Sequence, residues 1–382
     1  MVPPARACEP IERFAQKVLS TPAEPLEIAV RPLHGGLVSG SVQWVIARHS
    51  CGRHCTFVAK RLDGTARREA GIHRTLMTTP VRPLAPALLG LHEGGTGADW
   101  LFLEALSPLQ AWPWHDLERA GDVLRSLAHL HALRRASRLG RVVRGWDYER
   151  ELRDRGERLV ELLEQRRPEL RPLGLAQRAW FVRRFVERLS SARRRMLDLA
   201  ALPPTLIHGD VHSGNVLLCA RGGQVAPVFL DWGRARIGSP LEDVSSWLQS
   251  LGYWEPQARQ RHDTLLRAYL SARGQPWPPT PELRCAYWVA AACNSIAGAA
   301  EWHLHRAVDP ALRAEERSRA AAALLDHLRV VRRAYAYERQ VGPRHGTAGS
   351  VTSRSALLPG RAPPVPRRST ASAPARPARA RG

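Results

Sequence analysis

Two short apolar runs, Val216 to Cys219 and Val228 to Leu230, are divided by Arg221-Gly222-Gly223-Gln224, and this pattern constrains the chain more tightly than any other. It predicts a β-hairpin closed by a glycine-containing loop. Polar residues stand at its mouth, with Asn215 before the first run and Asp231 after the second. The two positions are equidistant from Gly223, so a symmetric antiparallel pairing makes them cross-strand neighbours with Cβ atoms roughly 5 Å apart. That is close enough to share one metal ion. One carboxylate and one amide oxygen form the sparse, hard-oxygen set that suits Mg²⁺ bound together with a nucleotide. Asp210 lies just upstream, on a tight His208-Gly209-Asp210 turn that follows the apolar Leu206-Ile207. Its carboxylate can approach the same space and take the proton of an acceptor hydroxyl whose oxygen attacks a terminal phosphate. Two blander readings stay open: a zinc cluster of His208, Asp210 and His212, and a structural loop whose polar side chains cap backbone groups.

The spacing His208, Gly209, Asp210, His212, Asn215, followed by Asp231-Trp232, resembles the H-G-D-x-H-x-x-N loop and the D-W or D-F turn of the aminoglycoside phosphotransferase and choline kinase group. Members of that group are small-molecule kinases with a protein-kinase-like fold. The resemblance implies an α+β, bilobal chain, with a small β-rich N-terminal lobe and a larger, mainly helical C-terminal lobe. It further implies ATP and Mg²⁺ as cofactors, Asp210 as catalytic base, and Asn215 with Asp231 as metal ligands.

Composition supplies an independent pointer. Of 57 Lys plus Arg, only Lys17 and Lys60 are lysines. Where arginine serves almost every cationic purpose, a retained lysine marks a place that needs a compact ammonium. Lys60 closes the run Thr56-Phe57-Val58-Ala59-Lys60, an alternating strand pattern that resembles the V-A-I-K strand of kinases, with Lys60 as the phosphate-binding lysine. Lys17, on an expected N-terminal helix, is read as an ordinary surface residue. Arg67 to Leu76 has helical character, which makes Glu69 the candidate partner of Lys60. Upstream, strand-like runs flank His34-Gly35-Gly36-Leu37-Val38-Ser39-Gly40-Ser41. Gly35, Gly36, Ser39 and Gly40 are candidates for letting backbone N–H groups approach phosphates. A P-loop is excluded, because neither lysine follows a glycine.

These readings set the domain expectations. Residues 1–105 form a nucleotide-binding lobe, with Leu101 to Leu106 as an edge strand and hinge, and Glu104 and Leu106 as adenine contacts through main chain only. Residues 106–340 form a catalytic and substrate-binding lobe. It contains a helix from Asp116 to Leu133, whose His129 and His131 are read as packing or surface residues. Two charged amphipathic helices, interrupted by Pro168 and Pro172, follow between Tyr148 and Ala200 and place the catalytic loop immediately after a long helix. Asp243 opens a later helix, caps backbone groups there and, by the resemblance, braces the catalytic loop. Cys285 to Ala300 reads as a buried helix too short to span a bilayer. Glu242, Glu255, Asp263 and Glu301 are acids available to a cationic acceptor.

From position 341 the chain changes character: its final 42 residues hold eight arginines, no acid, and much Pro, Ala, Ser and Gly, the signature of a disordered tail. The net charge of +22 raises nucleic acid as a partner. Acids interspersed among the arginines, and no recognisable binding motif, leave no specific nucleic-acid partner expected. Six cysteines in a chain of this length make no disulfide framework, and no signal segment is evident at the N-terminus, so a cytoplasmic protein without a membrane association is expected. His49 to Cys55 reads as an exposed hairpin tip rather than a zinc site. The function expected is transfer of the γ-phosphate of ATP to a hydroxyl of a small molecule, an aminoglycoside or another antibiotic by resemblance. The alternatives are a non-catalytic, kinase-like nucleotide-binding regulator and a nucleic-acid-binding protein acting through its basic surface and tail.

Overall fold

Strand-like alternation in the first hundred residues builds one antiparallel sheet. β1 (Glu27–Leu33), β2 (Val42–Arg48), β3 (His54–Leu62), β4 (Leu88–His92) and β5 (Asp99–Glu104) lie in the order β1-β2-β3-β5-β4. The computed structural model describes residues 9–20, 25–33, 42–95, 97–133, 146–175 and 179–341. The glycine-rich turn at 34–41, and with it Gly35, Gly36, Ser39 and Gly40, lies outside the described residues, as does the tail from 342 onward.

The segment expected as an edge strand is an inner one. β4 pairs along the outer side of β5, Leu88 with Leu103 and Leu91 with Leu101. The cause is the run Leu101-Phe102-Leu103, buried throughout, which an edge would leave facing water. α1 (Glu9–Leu19) covers one face of the sheet, setting Ile11, Phe14 and Leu19 against Val45, Phe57 and Phe102, and leaves Lys17 exposed. α2 (Arg68–Leu76) covers the other face through Ala70, which packs with Leu62, Leu101 and Leu103. Val58 joins this second cluster, and strand alternation puts Lys60 on the same side. Residues 49–53 join β2 to β3 as a hairpin tip with Cys51 exposed.

The rest of the chain is mostly helical. Asp116 caps α3 (Leu117–Leu130), accepting from the N–H groups of Glu118 and Arg119, and Asp147 caps α4 (Tyr148–Gln165). The break expected at Pro168 is there and opens a separate short helix: Pro168 sits in its first turn, the one helical place that tolerates its ring. α5 (Ala179–Val186) and α6 (Leu189–Leu197) follow. The loop expected to be catalytic then leaves a strand rather than a helix, since β6 (Thr205–Ile207) intervenes and pairs with β9 (Arg236–Gly238). β7 (Val216–Arg221) and β8 (Gln224–Phe229) form the central hairpin. α7 (Pro240–Trp254), α8 (His262–Ala272), α9 (Pro281–Asn294), α10 (Ala300–Val308) and α11 (Ala314–Val341) complete the lobe around a core that fully buries Trp114, Trp232, Trp247 and Tyr269. The helix expected over 285–300 is interrupted by a π-helical turn at Ser295–Ala299, where Gly298 adopts φ 146°. This is a bilobal α+β architecture, with a small antiparallel-sheet lobe and a larger, mainly helical one. Among the described residues no helix is long and apolar enough to cross a membrane, and the five described cysteines are free.

Two buried histidines make the acid stability of this core testable. The rings of His303 and His327 stack with centroids 5.2 Å apart. Burial holds both neutral, His303 down to about 3 with His327 and Arg306 adding to it, and His327 down to about 4 against the opposing charge of Asp326, where the ordinary value is 6.5. The unfolded chain takes up both protons as pH falls through about 6.5, while the folded chain does not. Their stabilisation is therefore complete above that pH and lost progressively toward pH 4. Unfolding midpoints should drop steeply over this window, and His327→Gln should flatten the drop. An unchanged slope would exclude these rings as its source.

Candidate active site

The His208-Gly209-Asp210 turn is built around a backbone shape that only glycine adopts easily. Gly209 has φ 82°, and a Cβ there would lie 2.3 Å from the carbonyl oxygen of Arg234. From the first turn of α7, the buried Asp243 accepts the N–H groups of His208 and Gly209, each at 2.8 Å. His131 on the end of α3 donates its Nε2–H to the same carboxylate at 3.1 Å and accepts the Tyr269 hydroxyl at Nδ1, 2.9 Å away. Burial pushes the Asp243 carboxyl up, but the hydrogen bonds from His131 and from the Gly209 N–H help to outweigh it and hold the group below the usual range. His208 spends both ring nitrogens locally: Nε2–H donates to Leu230 O at 2.7 Å, and Nδ1 accepts the Asp210 N–H at 3.3 Å. Burial lowers its pKa, which keeps the neutral tautomer this pattern needs. A zinc cluster here has no free imidazole nitrogen on His208. Among the described residues no three His, Cys, Asp or Glu side chains gather as a metal cage.

Asn215 is brought to Asp210. Its Nδ2 donates to the Asp210 carbonyl at 3.1 Å and lies 3.4 Å from Oδ2 of the carboxylate, which leaves the amide oxygen to another partner. The expected pairing of Asn215 with Asp231 is off by one residue. The loop is a two-residue turn, Gly222-Gly223, with φ 55° and 79°, so Arg221 pairs with Gln224 and Val216 with Phe229. Asn215 O therefore accepts the N–H of Leu230 at 2.8 Å, and Asp231 lies one position beyond. A one-residue slip sends a strand side chain to the opposite face. Asp231 escapes that rule by leaving the strand conformation, at φ 56° and ψ 69°, a left-handed shape that Asp adopts more readily than other residues with a side chain.

The turned Asp231 meets Lys60. The ammonium sits 2.9 Å from Asp231 Oδ1 and 2.7 Å from Glu69 Oε2, with both Lys60 and Glu69 buried. Burial alone would lower the Lys60 pKa, yet the charges of Glu69 and then Asp231 raise it above the ordinary lysine value. Burial likewise works against Glu69, but Lys60 and then His73 carry it down to about 2. Arg68, beside Glu69 on α2, donates to Ala235 O at 2.5 Å and ties the helix to the segment after Asp231. An amide oxygen on Asn215 and a carboxylate on Asp231, with the Asp231 side chain 37% exposed, are hard donors that fit Mg²⁺ shared with phosphate oxygens.

The remaining candidates lie in β5, in the coil after it and in α7. Glu104 donates its N–H to Ala87 O at 2.9 Å, and its carboxylate accepts the Ala87 N–H and an ion pair from Arg221, so main-chain contact through that N–H is not available. Leu106 is half-buried in the coil that follows β5. Glu242 does not face a cleft: it lies in the core between Arg193, at 2.8 Å, and Arg236.

The sequence profile of the phosphotransferase enzyme family matches residues 53–283, from the start of β3 into α9. The chain belongs to that family. No curated protein matches it by sequence, and solved structures match it at low identity. A protein of Ralstonia eutropha JMP134, provisionally named an aminoglycoside phosphotransferase, is 16% identical, with TM-score 0.55 over 87% of this chain and 98% of that one. An ethanolamine kinase of Plasmodium vivax is 13% identical, with TM-score 0.52 over 81% and 83%. A choline kinase of Cryptosporidium parvum is 12% identical, with TM-score 0.50 over 79% and 88%. These likenesses establish the shared fold.

Two supports of this phosphotransferase loop were not legible as such. His131, read as a packing or surface residue, bonds to Asp243, and the only signal was its place in Leu127-Ala128-His129-Leu130-His131. Arg236 left no signal among so many arginines. Its guanidinium contacts Gly209 O at 3.3 Å and Arg234 O at 3.2 Å, pairs with Glu242, and lies 3.6 Å over the Tyr148 ring. It thereby joins the turn carrying Asp210 to the segment carrying Asp231.

Lysine at 236 would keep the charge but lacks the fork that reaches two carbonyls and a carboxylate. Arg236→Lys should lower kcat by about 10- to 100-fold with little change in nucleotide KM; a change confined to KM would assign Arg236 to binding instead. Glu242→Gln leaves two buried guanidinium groups without their counter-charge and should cost about 3 kcal/mol in chemical denaturation. A loss under about 1 kcal/mol would mean that the rings of Tyr148 and Trp146 suffice to hold those cations.

Proposed function

We propose that the chain is an ATP-dependent, Mg²⁺-requiring O-phosphotransferase that acts on a hydroxyl of a small molecule. The observation that carries this reading is the meeting of Lys60 with Glu69 and Asp231, residues from a strand, a helix and a hairpin mouth, near the Asp210–Asn215 pair. Residues 1–105 act as the nucleotide lobe and 106–340 as the catalytic and substrate lobe. The five cysteines among the described residues are free, which suits a reducing cytoplasm.

Lys60 presents a compact ammonium to the phosphates, held in place by Glu69. Asn215, through its amide oxygen, and Asp231 would hold Mg²⁺, whose chemistry when bound is to neutralise phosphate charge. Asp210 orients the acceptor hydroxyl and takes its proton, and Asn215 Nδ2 steadies that carboxylate. Asp243, fixed by His131, keeps the turn rigid, so the acceptor meets a preformed base. The acceptor suggested by the family resemblance and by the neighbours' names is an aminoglycoside or another hydroxylated amine or antibiotic.

Incubation with ATP, Mg²⁺ and a panel of hydroxylated small molecules should give acceptor-dependent ADP release. Asp210→Ala should reduce it by about 10²- to 10⁴-fold. Absence of turnover with every class would favour a non-catalytic nucleotide-binding regulator. Truncation after Gln340 should leave activity intact; its loss would bring the basic tail into the mechanism.

A further inference from the structure

α7 is buried on most of its surface, and its accessible residues, Ser246, Gln249, Ser250, Tyr253 and Trp254, form one helical stripe. That stripe faces the catalytic loop: the Ser250 hydroxyl accepts the Ser213 N–H at 3.0 Å and lies 3.0 Å from the Ser213 hydroxyl, three residues beyond Asp210. Trp254 is one turn further along the same face. Its ring lies 6.2 Å from that of Trp112, in the loop between β5 and α3, and Tyr253 lies 6.1 Å from Trp302 on α10. Trp254 and Trp302 are 45% and 36% exposed. The stripe leading away from the base is thus walled by aromatic rings from three elements.

Two acids border this wall, and one of them is already paired with a cation. Glu255 accepts the Trp112 Nε1–H at 2.6 Å, and Glu301 pairs with Arg158 at 3.0 Å and lies 3.7 Å from His305. Arg306 stands 5.0 Å from the Trp302 ring, so one face of that indole already carries a cation. A multiply charged acceptor would meet the Arg306 charge and, of these two acids, only Glu255 without a cationic partner, whereas a flat hydrocarbon or ring surface would meet accessible indole.

We propose that Trp112, Tyr253, Trp254 and Trp302 form the acceptor wall, and that it selects a hydroxyl compound with a broad apolar ring face over a polycation. This rests on the phosphotransfer reading and sets aside the polycationic aminoglycosides among the acceptors suggested above. The test is equilibrium binding of naphthalenemethanol, choline and kanamycin to the full chain saturated with ADP. Naphthalenemethanol should bind at least about tenfold more tightly than either cation. Trp254→Ala and Trp302→Ala should each weaken it about tenfold, while Trp180→Ala, an equally exposed tryptophan on α5, should not. Tighter binding of choline or kanamycin, or wall variants that bind like the wild type, overturns the proposal. Titration of ADP itself reports separately on the underlying reading. If ADP binds and Asp231→Ala disturbs it while the wall variants change nothing, only the wall fails; if ADP does not bind, phosphotransfer fails first.

Discussion

The Asp243 carboxylate is the constraint on which the rest of the site depends. It is buried and ionised, and it can stay so because two backbone N–H groups and His131 share its charge. Those same bonds immobilise His208 and Gly209, and so fix the direction in which Asp210 leaves the turn. A buried anion is costly unless its donors are in place, so the helix that carries it and the loop it holds must form together. Tyr269, which orients His131 from α8, extends this dependence to a second helix.

Lys60 plays the matching part across the lobes. Its ammonium joins a sheet residue, a helix residue and the hairpin mouth, and each partner compensates the burial of the others. The left-handed turn at Asp231 makes this possible by redirecting a side chain that strand alternation would have sent the other way. Local backbone shape and long-range ion pairing are here one arrangement, since the turn would gain little without Lys60 to meet it.

Much of this was legible in the sequence because it depended on chemistry with few substitutes. Lysine among arginines, an Asp and an Asn at hairpin ends, and glycines between apolar runs each carried their meaning locally. What failed depended on counts and on distance. Placing the hairpin centre on Gly223 rather than between Gly222 and Gly223 shifted the pairing by one, because loop length cannot be read without the φ angles of both glycines. Leu101 to Leu103 looked like an edge because nothing local announces that Leu88 to His92 will cover it. Glu242 looked available to a substrate because its two guanidinium partners lie 49 and 6 residues away. Arg236 was invisible for the opposite reason, being one arginine among many.

The near absence of lysine also decides how the lobes are tied together. Arg68 reaches Ala235 O from the small lobe, and Arg221 reaches Pro83 O and Ala85 O from the large one, at 2.5, 2.7 and 2.9 Å. A guanidinium does not give up its proton at any pH a protein survives. These ties therefore keep their donors and their charge in alkali, where amine-based ties would fade. Among the described residues, these arginine ties between the lobes, unlike the lysine held between two carboxylates, rest on cations that do not titrate in alkali.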